Sequence, residues 1–251
     1  MHEAVPFLTG CYAVAERIPA PPAFPFDLPF VGPEFDLTFD APVVLFVGEN
    51  GTGKSTLLES IASLCGLPAG GGGQTEALVP AESSGAVLAR ALRPRFRRRP
   101  RHGFFLRAET LFSLANTLED RERDPEFRGD PYAAYGGKTL HARSHGEAFL
   151  AVMEHRMTSG MFVFDEPEAA LSPQRQLAFA TLVERRVRRG GVQVLMATHS
   201  PLLMTLPGAR VLFFDGRAIR PAAADETPHW RVMQAVLANP PAFWRTAREE
   251  E

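Results

Sequence analysis

Cysteine is nearly missing from this 251-residue chain: only Cys11 and Cys65 occur, with no paired Cys or His at metal-ligand spacing. That excludes a disulfide framework and a thiolate zinc site, and leaves two reduced thiols. Long apolar runs are lacking as well, and nothing approaches the ~20 apolar residues of a membrane-spanning helix. Met1-His2-Glu3-Ala4 has neither the basic start nor the apolar core of a secretion signal, so the expectation is a cytoplasmic protein without direct membrane insertion. Lysine occurs only at Lys54 and Lys138, so nearly every cation is an arginine. The formal net charge of -2 conceals a basic run: Arg90, Arg93, Arg95, Arg97, Arg98, Arg99, Arg101 and Arg107 crowd into one stretch. Global disorder is excluded by an apolar content of 45%, enough to bury a sizeable core in one large α/β domain or in a domain carrying a smaller inserted lobe.

Along the chain, the Pro- and Phe-rich segment 19–33 discourages helix and predicts an extended stretch packed along a sheet edge. Phe35–Phe39 alternates as a half-buried strand does, and Val43–Val47 is an apolar, β-branched run suited to a buried parallel strand. A helix is predicted over Thr56–Leu64, stopped by Gly66 and Pro68. Gly70–Gly73 and the basic Pro94–Arg101 bracket a stretch, about 68–103, that reads as flexible or insertion-like. Phe104–Leu106 predicts a strand and Glu109–Leu118 a helix. From Met161 the pattern is strand (Met161–Phe164), helix (Gln174–Arg188), strand (Val192–Ala197), small helix (Pro201–Leu206) and strand (Val211–Phe214), with Asp215-Gly216 as a hairpin turn toward Ile219. Such alternation implies right-handed crossovers and a mostly parallel sheet.

Three segments carry chemistry. Gly48-Glu49-Asn50-Gly51-Thr52-Gly53-Lys54-Ser55 fits G-x-x-x-x-G-K-[ST] between an apolar strand and a helical pattern. Its glycines let main-chain N–H groups curl around a β-phosphate while the helix N-terminus adds its dipole. Lys54 neutralises the β- and γ-phosphates, Ser55 offers a hydroxyl to Mg²⁺, and Thr56 is placed for the α-phosphate. Met161–Phe164 ends in Asp165 and Glu166, and two acids at a buried strand tip need a compensating metal or phosphate. Asp165 suits the Mg²⁺ shell, and Glu166 suits orienting or deprotonating the attacking water. His199 follows the apolar run Val194–Ala197 at a strand end, where it can contact a γ-phosphate and fix that water.

The order and spacing of GENGTGKST and FVFDEPEAALS resemble the ATP-binding-cassette ATPases over roughly residues 35–220. The resemblance implies one ATPase domain over 1–251, an α/β P-loop cassette with a mostly parallel sheet, an antiparallel β part, an inserted helical lobe at 68–158 and a helical tail at 228–248. It also implies ATP and Mg²⁺ as cofactors and an ATP-bound head-to-tail homodimer. In that family a signature loop from the second copy closes on the γ-phosphate. Here Ser144-His145-Gly146-Glu147 occupies that place, Ser144 and Gly146 matching, His145 and Glu147 departing. Ser144 with Glu147 also reads as a capping box opening a helix. Ala169–Ser172 resembles the loop that crosses the dimer interface. Where the family has a glutamine after a strand, this chain has Arg107-Ala108-Glu109, and Glu109 is either a metal or water contact or a plain first-turn acid.

The Arg93–Arg101 region reads either as a nucleic-acid contact or as a solvated face. Three purposes follow for the engine, in order of preference. The first is a chromosome-maintenance or recombination-repair type of ATPase without coiled coil; the second is a transporter's nucleotide-binding subunit. The third is an occupancy switch for a protein partner, as in defence systems.

Overall fold

The computed structural model describes residues 6–68, 71–73, 83–107 and 110–249. The chain opens with β1 (Leu8–Ala13), then β2 (Asp36–Thr38), β3 (Val43–Gly48) and helix α1 (Lys54–Leu64). β4 (Gly72–Gly73), α2 (Ser84–Ala89), β5 (Leu92–Phe96) and β6 (Gly103–Arg107) follow, with helices α3 (Thr110–Arg123) and α4 (His145–Arg156) after them. The remainder alternates β7 (Gly160–Asp165), α5 (Pro173–Arg189), β8 (Val192–Ala197), α6 (Pro201–Met204), β9 (Arg210–Phe214) and β10 (Ile219–Ala222), and ends in α7 (Pro228–Ala238) and α8 (Pro240–Glu249).

Among the described residues the main sheet has the order β10-β9-β3-β8-β7-β6-β4, and a second sheet has the order β2-β1-β5. β9, β3, β8, β7 and β6 are parallel, while β10 and β4 pair antiparallel at the two edges. The second sheet is antiparallel throughout. This is the expected α/β P-loop architecture. The parallel strands are mostly apolar because both of their faces are covered, with Gln193 of β8 as a buried exception and charged residues at the strand ends. Val43, Leu45 and Val47 pack into one layer with Phe162, Phe164 and the α3–α5 side chains, and Val44 and Phe46 into the other against Leu57, Leu58 and Ile61 of α1. In the first layer Phe179 stands edge-on to both Phe149 and Phe164, with ring centroids 5.1 and 5.0 Å away, locking α4 and α5 onto β7.

One buried amide joins the two sheets. Gln193, the second residue of β8, accepts from the Leu8 N–H at 2.9 Å and donates to the Leu8 carbonyl at 2.8 Å. A Gln193→Leu replacement leaves both main-chain groups of Leu8 without those partners, and an expected loss of about 3 kcal/mol follows. Denaturant unfolding checks it as a lower midpoint at unchanged slope.

The structure departs from the sequence expectations in two places. The 68–103 stretch, expected as flexible or insertion-like, instead supplies β4, α2 and β5 to the two sheets and to the α1 face. Its arginines are compatible with a strand because β5 is an edge strand: Arg95 makes a two-point pair with Asp36 across β1. Gly10 of β1 lies between them, and a Cβ there would come 2.7 Å from Arg95 Nη2. Among the described residues the helical part of 68–158 comprises α2, α3, α4 and a 3-10 turn at Ala133–Tyr135, while β6 within the same range is a core strand of the main sheet. The second departure is 19–33, which lies in bends and turns rather than extended along an edge. Phe30 from this segment packs edge-on against Phe214 of β9 at 5.6 Å.

Candidate active site

The C-terminal ends of β3, β7 and β8 lie side by side in the parallel sheet, the edge at which such sheets collect ligands. β3 runs into the 48–55 loop, where Gly51 and Gly53 take left-handed φ values of 78° and 90°. A Cβ on Gly53 would sit 2.7 Å from the Phe30 ring, whereas nothing lies within 4 Å of that position on Gly51. The loop is thus floored by Phe30 and open above. Gly53 is the N-cap of α1 and supplies no side-chain cap, so the first-turn N–H groups are left for an anion. Thr52 Oγ1 donates to the Glu49 carbonyl at 2.8 Å and stiffens the turn. Lys54 is buried, and its ammonium donates to the carbonyls of Gly48 at 2.7 Å and Glu49 at 2.8 Å. Burial lowers its pKa from the ordinary lysine value, while Glu166, Asp165 and Glu49 pull the other way. Glu49, Asn50 and Gly51 are exposed along the rim, and Thr56 sits half-buried in the first turn of α1. A phosphate chain fits this cradle.

On β7, Asp165 receives a hydrogen bond from Ser55 Oγ at 3.0 Å. Strand register places Arg107 opposite Asp165, with Arg107 Nε 3.4 Å from Asp165 Oδ2 and Nη1 2.7 Å from Glu59 Oε1. Burial pushes the Asp165 carboxyl up to about 6 against the pull of Arg107 and Ser55. Among the described residues no group of three or more His, Cys, Asp or Glu side chains converges on a common metal point. A hydroxyl and a carboxylate in contact beside a phosphate cradle fit Mg²⁺, which takes one or two protein oxygens and completes its octahedron with phosphate oxygens and water. Glu109 lies outside the described residues.

Glu166 has φ 48° and ψ 55°, the one non-glycine residue with positive φ among those described. Strain of that kind costs about 1–3 kcal/mol and persists where the surroundings over-determine it. Here the Glu166 N–H is held by the Ala197 carbonyl at 3.0 Å. His199, at the end of β8, brings Nε2 to 3.3 Å from Glu166 Oε1. Burial first and Lys54 second hold the His199 imidazolium below its ordinary pKa, with Glu166 opposing. Two groups that the sequence reading passed over complete the arrangement. Glu168 Oε1 accepts from Thr198 Oγ1 at 2.9 Å and from the His199 N–H at 2.5 Å, and burial raises its pKa. His229 of α7 places Nε2 3.0 Å from His199 Nδ1. Glu168 left a trace in the sequence as a further acid just past the strand tip. Thirty residues separate His229 from His199, and no motif links them.

Ser144 and Gly146 lie elsewhere, at the start of α4. The expected cap is present: the Glu147 carboxylate accepts from the Ser144 N–H at 2.9 Å and from its hydroxyl at 2.8 Å, and pairs with Arg175 at 3.0 Å. Gly146 is explained by packing, because a Cβ there would meet Arg175 Cδ at 2.6 Å and the Ala170 carbonyl at 3.2 Å. Among the described residues neither hydrogen-bonds nor pairs with the 48–56 loop of the same copy. The basic run is divided. Arg95 is committed to Asp36, and Arg93 donates to the Leu92 carbonyl at 3.0 Å, whereas Arg97, Arg99 and Arg101 are exposed.

Two family models match parts of the chain, one described as "AAA domain" over residues 29–83 and one as "AAA domain, putative AbiEii toxin, Type IV TA system" over 148–205. The cytochrome c biogenesis ATP-binding export protein CcmA of Rhodospirillum rubrum is 32% identical over 203 residues, covering 78% of this chain and 83% of that protein. The hemin import ATP-binding protein HmuV of Enterobacter cloacae is 26% identical, covering 82% of this chain and 85% of its own. Among solved structures, the SMC head domain from Thermotoga maritima is similar with a TM-score of 0.47 and 17% identity, over 86% of this chain and 99% of that one. Among the described residues no helix is long and apolar enough to cross a membrane. An identity of 32% over 203 residues runs through most of both chains and far beyond the glycine-rich loop, and on that ground this chain belongs to the ATP-binding-cassette family of P-loop ATPases.

Proposed function

We propose that the chain hydrolyses Mg-ATP as an ATP-dependent head-to-tail homodimer. The observation that carries this is the meeting of the 48–55 loop, Asp165, Glu166 and His199 at three adjacent strand ends. In this reading Lys54 and the N–H groups from Gly48 to Thr56 hold the phosphates, and Ser55 and Asp165 hold Mg²⁺, which draws charge off the transferred phosphoryl group. Glu166, next to Asp165 but 42% exposed in its side chain, takes the proton of the attacking water. His199 contacts the γ-phosphate. Ser144 and Gly146 of the second copy close the site, and their separation from the loop of their own copy is what such an arrangement requires.

The process served has two readings, each with its own observation. Exposed Arg97, Arg99 and Arg101 favour contact with DNA phosphates. Similarity to export and import ATP-binding proteins favours the nucleotide-binding subunit of a membrane transporter, while the lack of the family glutamine in Arg107-Ala108-Glu109 and the His145 and Glu147 departures speak against it. The test is the steady-state Mg-ATPase rate of the purified chain, titrated with duplex and single-stranded DNA at low and higher salt. Salt-sensitive stimulation that vanishes on neutralising Arg97, Arg99 and Arg101 is the expected result for DNA work. A rate indifferent to DNA, with co-purification of a membrane protein, moves the chain to the transporter reading. No Mg-dependent hydrolysis under any of these conditions overturns both.

A further inference from the structure

Helix α7 begins with Thr227 as N-cap and Pro228 in its first turn, and His229 is its second residue. The His229 side chain is only 13% exposed, with Nε2 3.0 Å from His199 Nδ1 and 3.6 Å from Glu49 Oε1 of the phosphate loop. The rings are 5.0 Å apart at their centroids. We propose that His229 is a positioning residue for ATP hydrolysis, donating its Nε2–H to His199 Nδ1 and so fixing His199 as the tautomer that offers Nε2–H to the γ-phosphate; this rests on the reading of His199 given above.

The argument is one of hydrogen-bond polarity. One N–H must lie between the two nitrogens, and it belongs to one ring or the other. If it belongs to His229, His199 carries its proton on Nε2, which faces the Glu166 carboxylate at 3.3 Å, and His229 Nδ1 is left as a bare acceptor. If it belongs to His199, the Nε2 lone pair is turned on that carboxylate. His229 then also buries an Nδ1–H at a position without a hydrogen-bond partner. Both His199 Nε2 and His229 Nδ1 are buried without a hydrogen-bond partner, and the first arrangement puts the N–H of that pair on Nε2, facing the Glu166 carboxylate, rather than on His229 Nδ1. Because burial and Lys54 favour a neutral His199, the ring has one proton to offer, and its tautomer decides whether it donates to phosphate or repels it. Glu168 holds the main-chain N–H of the same residue and His229 holds its ring at Nδ1, so backbone and side chain each have an outer partner, as the ligands of a metal site do. Helix α7, 30 residues beyond β8, thereby becomes part of the nucleotide site.

The experiment compares His229→Leu, His229→Gln, His199→Ala and the double variant His199→Ala/His229→Leu in ATP turnover, ATP affinity and thermal midpoint. The expected result is a fall in kcat of about 10–100-fold for His229→Leu with KM within about twofold, in line with outer-partner losses elsewhere. His229→Gln, whose amide restores a donor, recovers most of the rate. The double variant is no slower than His199→Ala alone. Histidine-selective ¹⁵N NMR of the unaltered protein should show His199 with its proton on Nε2, a readout independent of whether any variant folds. Normal turnover in His229→Leu while His199→Ala is impaired, or a proton on His199 Nδ1, overturns this inference and leaves the role of His199 standing. Normal turnover in His199→Ala overturns that role itself.

Discussion

Glu166→Gln is expected to bind ATP within about threefold of the unaltered protein and to hydrolyse it at least about 100-fold more slowly, the scale of a lost general base. The amide is the same size and keeps an oxygen for the His199 contact at 3.3 Å, so the strained main chain at φ 48° and the Ser55–Asp165 bond need not move. What disappears is the capacity to accept a proton. Because hydrolysis is what reopens the proposed dimer, the variant should accumulate as an ATP-dependent dimer, read by size-exclusion chromatography with light scattering. Turnover at the normal rate removes Glu166 from the chemistry. Slow turnover with no dimer keeps Glu166 in place but overturns the head-to-tail arrangement.

Lys54→Ala should weaken ATP binding by about 100-fold or more, measured by calorimetry in the Glu166→Gln background so that hydrolysis does not intervene. A charge-assisted hydrogen bond is worth about 1.5–3 kcal/mol, and tenfold in affinity is about 1.4 kcal/mol. Two such bonds to phosphate oxygens therefore set the scale. Without nucleotide the ammonium is held by the Gly48 and Glu49 carbonyls, and it must leave one or both to reach phosphate. Its loss also frees those carbonyls, so the thermal midpoint is measured alongside to separate a collapsed loop from a missing cation. Unchanged affinity with a folded protein means that the loop is not the phosphate site.

The parts of the fold that the sequence displayed are those in which local pattern and tertiary environment agree. Val43–Gly48, Gly160–Asp165 and Val192–Ala197 are buried at every position, and a strand covered on both faces is apolar along most of its length, Asp165 and Gln193 being the exceptions, which makes it visible as a run. The 48–55 loop was legible because its glycines are required by backbone geometry at Gly51 and Gly53. β5 was not legible: Leu92–Phe96 carries Arg93, Pro94 and Arg95, and only the pairing with β1 and Asp36 across it makes a strand of that segment. Gly146 gave a second lesson, since its spacing matched a signature motif while its neighbours, Arg175 and Ala170, supply a packing reason on their own.

Sequence by itself determined the glycine-rich 48–55 loop, the acid pair Asp165 and Glu166 at the tip of β7 and the histidine after β8, since each depends on residue type at a fixed distance from an apolar strand. Tertiary structure alone decided which groups stand around them. Arg107 faces Asp165 through strand register, Glu168 folds back to clamp His199, and His229 arrives from a helix that begins 28 residues after Ser200. Contacts between elements far apart in the chain depend on how the layers stack, and a stacking of layers leaves no period in a linear sequence.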